Sequence, residues 1–443
     1  MSKLKCVIYA PFDCYAGYGA NSRDKIKAII NLKKEEWDIK LISCGWGQTP
    51  QGFVNDHPKE WGFLLDHLLP TPQLQYQPDI WIMITVPNEY QKVGKFNIGF
   101  NAGIETTICD ASWLEGMNRM DLNVVSSQHS KNVYINSRFE KKDKNTNQTI
   151  GIVQLEKPIQ VLFEGVDLDV YKPIEKSEIK NLNSLDIIEE DFCYLFVGHW
   201  IGNTPIGEDR KNVGLLVKAF YETFKNKKKQ PALILKTSAV GSSYVDRDFI
   251  LKKLEEIRDS IQAKQLPNVY LLHGDLKDNE INELYNHPKI KAMVHLAKGE
   301  GFGRPLLEFS MMKKPIICSG WSGPLDFLNQ EFVKFLPGQL TPIHPSAQVP
   351  NMLIEGSQWF SPDLIQVNNA LVDVFENYKN WKEKATRQAY VTKTKFSTEK
   401  MKEELDVIFN SSLPDFPKPI KLKLPESLKK ISLPKREKIE DEK

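Results

Sequence analysis

No two cysteines in this sequence are spaced C-x-x-C, and the six present (Cys6, Cys14, Cys44, Cys109, Cys193 and Cys318) are scattered, several inside apolar runs. Such cysteines behave as small buried hydrophobes. The pattern suits a reducing compartment and excludes a disulfide scaffold. No apolar run reaches the roughly 18 residues of a membrane span. The opening LKCVIYAPF is too short for a secretory signal and reads as a first strand. A large charge of one sign is missing as well. The net charge of +2 over 443 residues gives no support to wholesale coating of nucleic acid. No His/Cys/Asp cluster has zinc spacing.

Hydrophobic residues make up 41% of the chain, enough for ordinary cores, and the length fits two or three domains. Short apolar runs alternate with longer amphipathic stretches. VIYA (7–10), IKLIS (39–43), IWIMITV (80–86), FNIGFNA (96–102) and LNVVSS (122–127) read as buried strands, with helices over 21–33 and 128–139. KKDKNTNQT (141–149) reads as a surface loop. A second series follows: FCYLFVG (192–198), ALILKT (232–237), VYLLHG (269–274), AMVHLA (292–297) and PIICSG (315–320), with helices near 211–226, 246–264, 278–286 and 305–313. Strands alternating with helices predict parallel α/β sheets, here two doubly wound domains in series. The predicted division is 1–174 and 175–394, then a helix over 395–410 and a Lys/Pro-rich tail over 411–443. The tail reads either as flexible chain or as an extended arm with Leu/Ile anchors.

Three segments carry chemistry. EGFGRPLLE (300–308) follows the buried strand AMVHLA. Gly301 and Gly303 let the backbone approach a ligand, and Pro305 suits a helix start. Backbone N–H groups there suit a phosphate, while Glu300 and Glu308 can bracket the hydroxyls of the same ligand. In VGHW…DRKNVGLLVKAF (197–220), Arg210 and Lys211 stand at a predicted helix start, where cations can neutralise a diphosphate. In APFDCYAGYGANSRDK (10–25), Gly17 and Gly19 form a Gly-x-Gly directly after the first strand.

The 300–308 segment resembles the E-x7-E motif of the family-four retaining glycosyltransferases. Further segments resemble that family in order: 104–134, VLFEGVDLDVYKP (161–173), 269–285 and PIICSGWSGPLDFL (315–328). The resemblance implies the GT-B fold: two Rossmann-like domains facing a central cleft, with a C-terminal helix returning to the first. It implies sugar transfer from a nucleotide-diphosphate donor, UDP- or GDP-linked, in the cytoplasm, without cofactor or metal. By resemblance Glu300 contacts the donor sugar and Glu308 the ribose. Gly17, Gly19, Gly301, Phe302, Gly303 and Arg304 line the donor, and Glu105 lies on the acceptor side. The family often places an Arg directly after the strand glycine. His199 stands there in this chain, at the head of the long loop GHWIGNTPIGEDRK, so Arg210 is expected to supply the guanidinium. His129 and His199 read as structural.

Asp167-Leu168-Asp169 has the D-x-D form that binds divalent metal in other transferases, but it falls in an interdomain turn and reads as structural. The acceptor is open between a glycan, a lipid and a hydroxymethylated base of DNA. A non-catalytic partner subunit is the remaining alternative.

Overall fold

The computed structural model describes residues 3–416 apart from 72, 144, 203 and 240. Most of the predicted tail therefore lies outside the described residues. The first domain runs β1 (Leu4–Ala10), α1 (Gly17–Lys33), β2 (Trp37–Ser43), the short helices α2 (Phe53–Asp56) and α3 (Pro58–Trp61), β3 (Ile80–Ile84), β4 (Phe96–Asn101), α4 (Ala111–Met117), β5 (Leu122–Val125), α5 (Gln128–Asn136), β6 (Phe139–Lys142), β7 (Thr149–Val153) and β8 (Ile159–Val161). Its six-stranded parallel sheet has the order β2-β1-β3-β4-β5-β8. β3, Ile-Trp-Ile-Met-Ile, is buried throughout, as expected of a strand covered on both faces.

The second domain repeats the plan with β9 (Cys193–Val197), α6 (Val213–Phe224), β10 (Ala232–Lys236), α7 (Tyr244–Asp259), β11 (Val269–Leu272), α8 (Asp278–Asn286), β12 (Ile290–His295), α9 (Arg304–Ser310), β13 (Ile316–Ser319) and β14 (Lys334–Leu336). Its sheet order is β11-β10-β9-β12-β13-β14. In both sheets the order reverses beside the first strand, between β1 and β3 and between β9 and β12. The loops leaving those strands open a crevice at each switch point. The loops after β1, β9 and β12 carry the Gly17 segment, Arg210 with Lys211, and Glu300, and the loop after β4 carries Glu105.

Two hairpins were not expected from the sequence. β6 and β7 pair antiparallel across the segment read as a loop. β15 (Gly338–Pro342) and β16 (Gln358–Pro362) form a second hairpin, with its own small core of Ile343, Ala347 and Trp359. Helices α10 (Leu364–Glu376) and α11 (Tyr378–Lys395) complete the second domain. α12 (Thr398–Ser412), capped by Ser397 Oγ accepting from Lys400 N–H, buries Met401, Leu405, Ile408 and Phe409 in the core of the first domain. At the junction Asp167 Oδ1 accepts from Asp169 N–H at 2.9 Å, and Asp167 lies 4.0 Å from Lys27 Nζ. The D-x-D is thus engaged in its own turn.

Candidate active site between the two domains

The loop after β12 and the loop after β4 meet backbone to backbone. A Cβ on Gly299 would sit 2.0 Å from the Glu105 carbonyl oxygen, and one on Gly301 would sit 2.2 Å from that of Ala102. Glycine at these positions allows the loop after β12 to lie directly on the first domain. Gly303 has φ +103°, a left-handed conformation that suits glycine, and it caps α9. Arg304 opens that helix and Pro305 is its second residue, one position later than the sequence reading placed it.

Glu300, 9% exposed, is fixed by its own backbone: its N–H donates to Ser322 Oγ at 3.0 Å, and its carbonyl accepts from Gly323 N–H. Its carboxylate binds Lys211 Nζ. Arg210 Nη1 lies 2.9 Å from Glu105 Oε1 and 4.0 Å from Glu300 Oε2. A chain of alternating charge, Lys211–Glu300–Arg210–Glu105, therefore crosses from the second domain to the first. Burial opposes ionisation of Glu300, but Lys211 and its neighbours outweigh it and hold the carboxyl down at about 2. Burial pulls Lys211 below the usual lysine range, whereas Glu105 and Glu300 outweigh burial at Arg210 and raise it.

Arg210 and Lys211 precede the helix rather than starting it. α6 begins at Val213, and Asp209 Oδ2 accepts from Val213 N–H at 2.8 Å, pinning the turn that presents both cations. Asn212, left-handed at φ 58° and fully buried, leaves both amide atoms without a hydrogen-bond partner among the described residues. Buried polar atoms of this kind call for a ligand or solvent to satisfy them.

Glu308 sits apart. Its Oε1 accepts from Arg304 Nε at 2.8 Å, and Arg304 Nη1 reaches Asp24 Oδ2 of the first domain at 2.5 Å. Burial outweighs Arg304 and pushes the Glu308 carboxyl up to about 7.

The remaining site residues divide. Gly17 borders open space, while Gly19 is buried under the Cys14 carbonyl and serves packing. Phe302 is 2% exposed and packs on Phe327. His199 Nδ1 is 3.2 Å from Ser238 Oγ. His129 meets Trp321 edge to face, and burial depresses its pKa to about 4. Sequence reasoning missed Asp24, Asp209 and His295, whose Nε2 lies 3.6 Å from Glu300 Oε1. Asp209 had a local signal, an acid four residues before an apolar helix. Asp24 and Arg304 are 280 positions apart, and no local pattern pairs them.

Residues 185–341, which hold Arg210, Lys211, Glu300 and Glu308, match the family model for glycosyl transferases group 1. The second domain belongs to the group 1 glycosyltransferases. Solved structures share the whole architecture at low identity. A glycosyltransferase of Rickettsia africae matches with a TM-score of 0.62 and 13% identity, covering 94% of this chain and 100% of that one. HepE of Anabaena, solved with UDP and glucose, matches with a TM-score of 0.60 and 13% identity, covering 92% and 100%. Sucrose-phosphate synthase of Thermosynechococcus elongatus gives 0.57 and 12%, covering 93% and 99%. No curated protein sequence matches the chain. The glycosyltransferase has the two-domain GT-B fold that the motif order implied. Among the described residues no helix is long and apolar enough to cross a membrane.

Proposed function

We propose that this glycosyltransferase moves a sugar from a UDP- or GDP-linked donor to an acceptor hydroxyl with retention of configuration, in the cytoplasm and without a resident cofactor or metal. The observation that carries the reading is the charge chain Lys211–Glu300–Arg210–Glu105 across the cleft. Two cations sit on a pinned turn beside unsatisfied amide atoms, and their carboxylate partners can be exchanged for phosphate oxygens. Lys211 and Arg210 would take the charge that grows on the diphosphate as its bond to the anomeric carbon breaks. Glu300, ionised and held by its backbone, would accept hydrogen bonds from sugar hydroxyls. Glu308 would accept from the ribose. The acceptor oxygen then bonds to the anomeric carbon on the face the diphosphate leaves, and its proton passes to the departing phosphate oxygen. Retention and the ribose role rest on the E-x7-E resemblance. The UDP and glucose bound by HepE favour a UDP-linked hexose among the donors.

Incubation with UDP-glucose and GDP-mannose, reading nucleotide release and the anomeric coupling of the product by NMR, tests the proposal. An axial glycosidic product from an axial donor is expected. An inverted product, or release from neither donor, would refute it.

A further inference from the structure

Loop 43–53, between β2 and α2, carries Trp46, a half-exposed aromatic that neither domain core uses. Its ring stacks on Tyr18 with centroids 3.9 Å apart and planes 26° apart. Tyr18 is in turn anchored. Its hydroxyl donates to the Thr85 carbonyl at 3.2 Å and accepts from Asn101 Nδ2 at 2.8 Å and Ala102 N–H at 3.1 Å. Asn101 Oδ1 accepts from Gly103 N–H and from Tyr134 Oη. Gly103 is the residue that lies against Gly301, and Glu105, two positions on, meets Arg210. The stacked pair therefore stands on the first-domain wall of the cleft, braced by the loop that touches the donor-side loop.

The loop bearing Trp46 is held in place rather than loose. The Asp13 carboxylate accepts from Gly52 and Val54 N–H, while Phe53 N–H donates to the Asp13 carbonyl and Tyr15 N–H to that of Pro50. Around the indole the surface is open: a Cβ at Gly17 or Gly47 would meet nothing within 4 Å. Charge narrows the choice of occupant. Residues 11–22 and 43–56 contain no Lys or Arg but include Asp13 and Asp56. Arg23, the next residue along α1, is buried with its guanidinium 3.4 Å from the Phe53 ring centre. The exposed Glu89 carboxylate is close enough to oppose ionisation of Tyr9 and Tyr18. A polyphosphate backbone or an anionic lipid head group meets repulsion here. A pyranose fits, because it is neutral, carries an apolar face of C–H groups for the indole, and offers hydroxyls that donate to carboxylates.

We propose that Trp46, backed by Tyr18, is the platform on which a sugar ring of a saccharide acceptor stacks. This names the acceptor class of the glycosyltransferase and so rests on the transfer reading, although binding at the platform is measurable without a donor. The full chain is applied to a glycan array with no nucleotide present. The best-binding oligosaccharide is then titrated against the parent, Trp46→Ala and Trp46→Phe, with UDP titrated in parallel. Saccharide binding should weaken at least about tenfold in W46A and within about threefold in W46F, the scale of one aromatic contact, with UDP affinity unmoved. A blank array overturns the proposal. So does W46A binding the saccharide within about twofold of the parent, a W46A loss of UDP affinity equal to its loss of saccharide affinity, or preferential capture of a hydroxymethylated oligonucleotide or a phospholipid vesicle. Saccharide binding by a parent chain that binds no UDP or GDP would sink the donor reading and leave the platform standing.

Discussion

Glu300 and Glu308 belong to one nine-residue segment, yet they occupy opposite electrostatic environments. Glu300 stands between two cations, Lys211 and Arg210, and is held ionised, its carboxyl down at about 2. Glu308 has one cation, Arg304, which it shares with Asp24, and burial lifts it to about 7. Both carboxylates are buried, so burial alone does not separate them. The number of cations converging on each does. A group that must orient a substrate while charge develops nearby benefits from being fixed and ionised. In the proposed reading Glu308 only receives two hydroxyls and has no such need, and its partner Arg304 also ties the segment to Asp24 on α1 of the other domain. The motif is thus two devices that happen to share a loop.

The sharpest way to break this contrast is to remove the cation that makes Glu300 different. Charge grows on the diphosphate only as the glycosidic bond breaks, so a preorganised ammonium favours the transition state over the ground state. Lys211→Ala should lower kcat on the order of 100- to 1000-fold, with a smaller change in donor KM. Arg210→Lys should also be harmful, because an ammonium does not match the fork of a guanidinium. Steady-state kinetics on folded variants checks both. A folded K211A enzyme with near-parent kcat would move the leaving-group role to Lys236 or Arg304.

Comparing the two carboxylates directly gives a smaller effect. Glu308→Ala should weaken UDP binding by roughly 10- to 100-fold, as loss of a charged hydrogen-bond acceptor implies. Glu300→Ala should mainly lower turnover and leave UDP affinity nearly unchanged. Calorimetric titration with UDP, paired with kcat, separates them. Equal losses of affinity in both variants would erase the proposed division.

The pH dependence of stability should diverge as well. The folded pKa of Glu308 lies above its unfolded value of 4.5, so ionisation disfavours the fold. Its contribution is neutral below 4.5, worsens as pH rises through the interval to about 7, and is constant above. Glu300 has the opposite sign: its stabilisation is present above 4.5 and lost as pH falls towards about 2. Relative to the parent, Glu308→Gln should gain melting temperature between pH 4.5 and 7, at ~2–4 °C per kcal/mol. Glu300→Gln should flatten the parent's loss of stability at acid pH. Parallel melting curves for parent and variants would overturn the contrast.

Much of this was legible in the sequence because it is local. The strands are continuous apolar runs. The 300–308 segment keeps Glu, Gly, Gly, Pro and Glu within one loop and helix, and Arg210-Lys211 are adjacent. What escaped is what folding brings from afar. Asp24 and Arg304 pair across domains with nothing in their neighbourhoods to announce it. The β15–β16 hairpin also spans the cleft: Thr107 N–H donates to the Gln358 carbonyl at 2.9 Å, and Phe360 N–H donates to that of Lys298. Its strands, GQLTP and QWFSP, show little of the alternation that marks a strand. Trp46 was visible as an aromatic, but only its stack on Tyr18 distinguishes a platform from a core residue.

The smallest expected effect concerns divalent metal. In transferases that require one, the ion bridges the diphosphate and carries the charge of the leaving group. In the proposed reading Lys211 and Arg210 stand where that charge develops and supply two positive charges without a coordination shell. The Asp167–Asp169 pair lies at the domain junction, where Asp167 accepts from the Asp169 backbone and neighbours Lys27. Turnover in EDTA should therefore stay within about twofold of that in manganese, because the electrostatic contribution of the site resides in side chains rather than in an exchangeable ion. The two observations sharpen each other when combined. In K211A, added manganese should restore little, since among the described residues no group of three or more His, Cys, Asp or Glu side chains is gathered to hold an ion. Activity that vanishes in EDTA and returns with manganese would mean that a metal shares the leaving group's charge, and that the carboxylates beside Arg210 serve as its ligands.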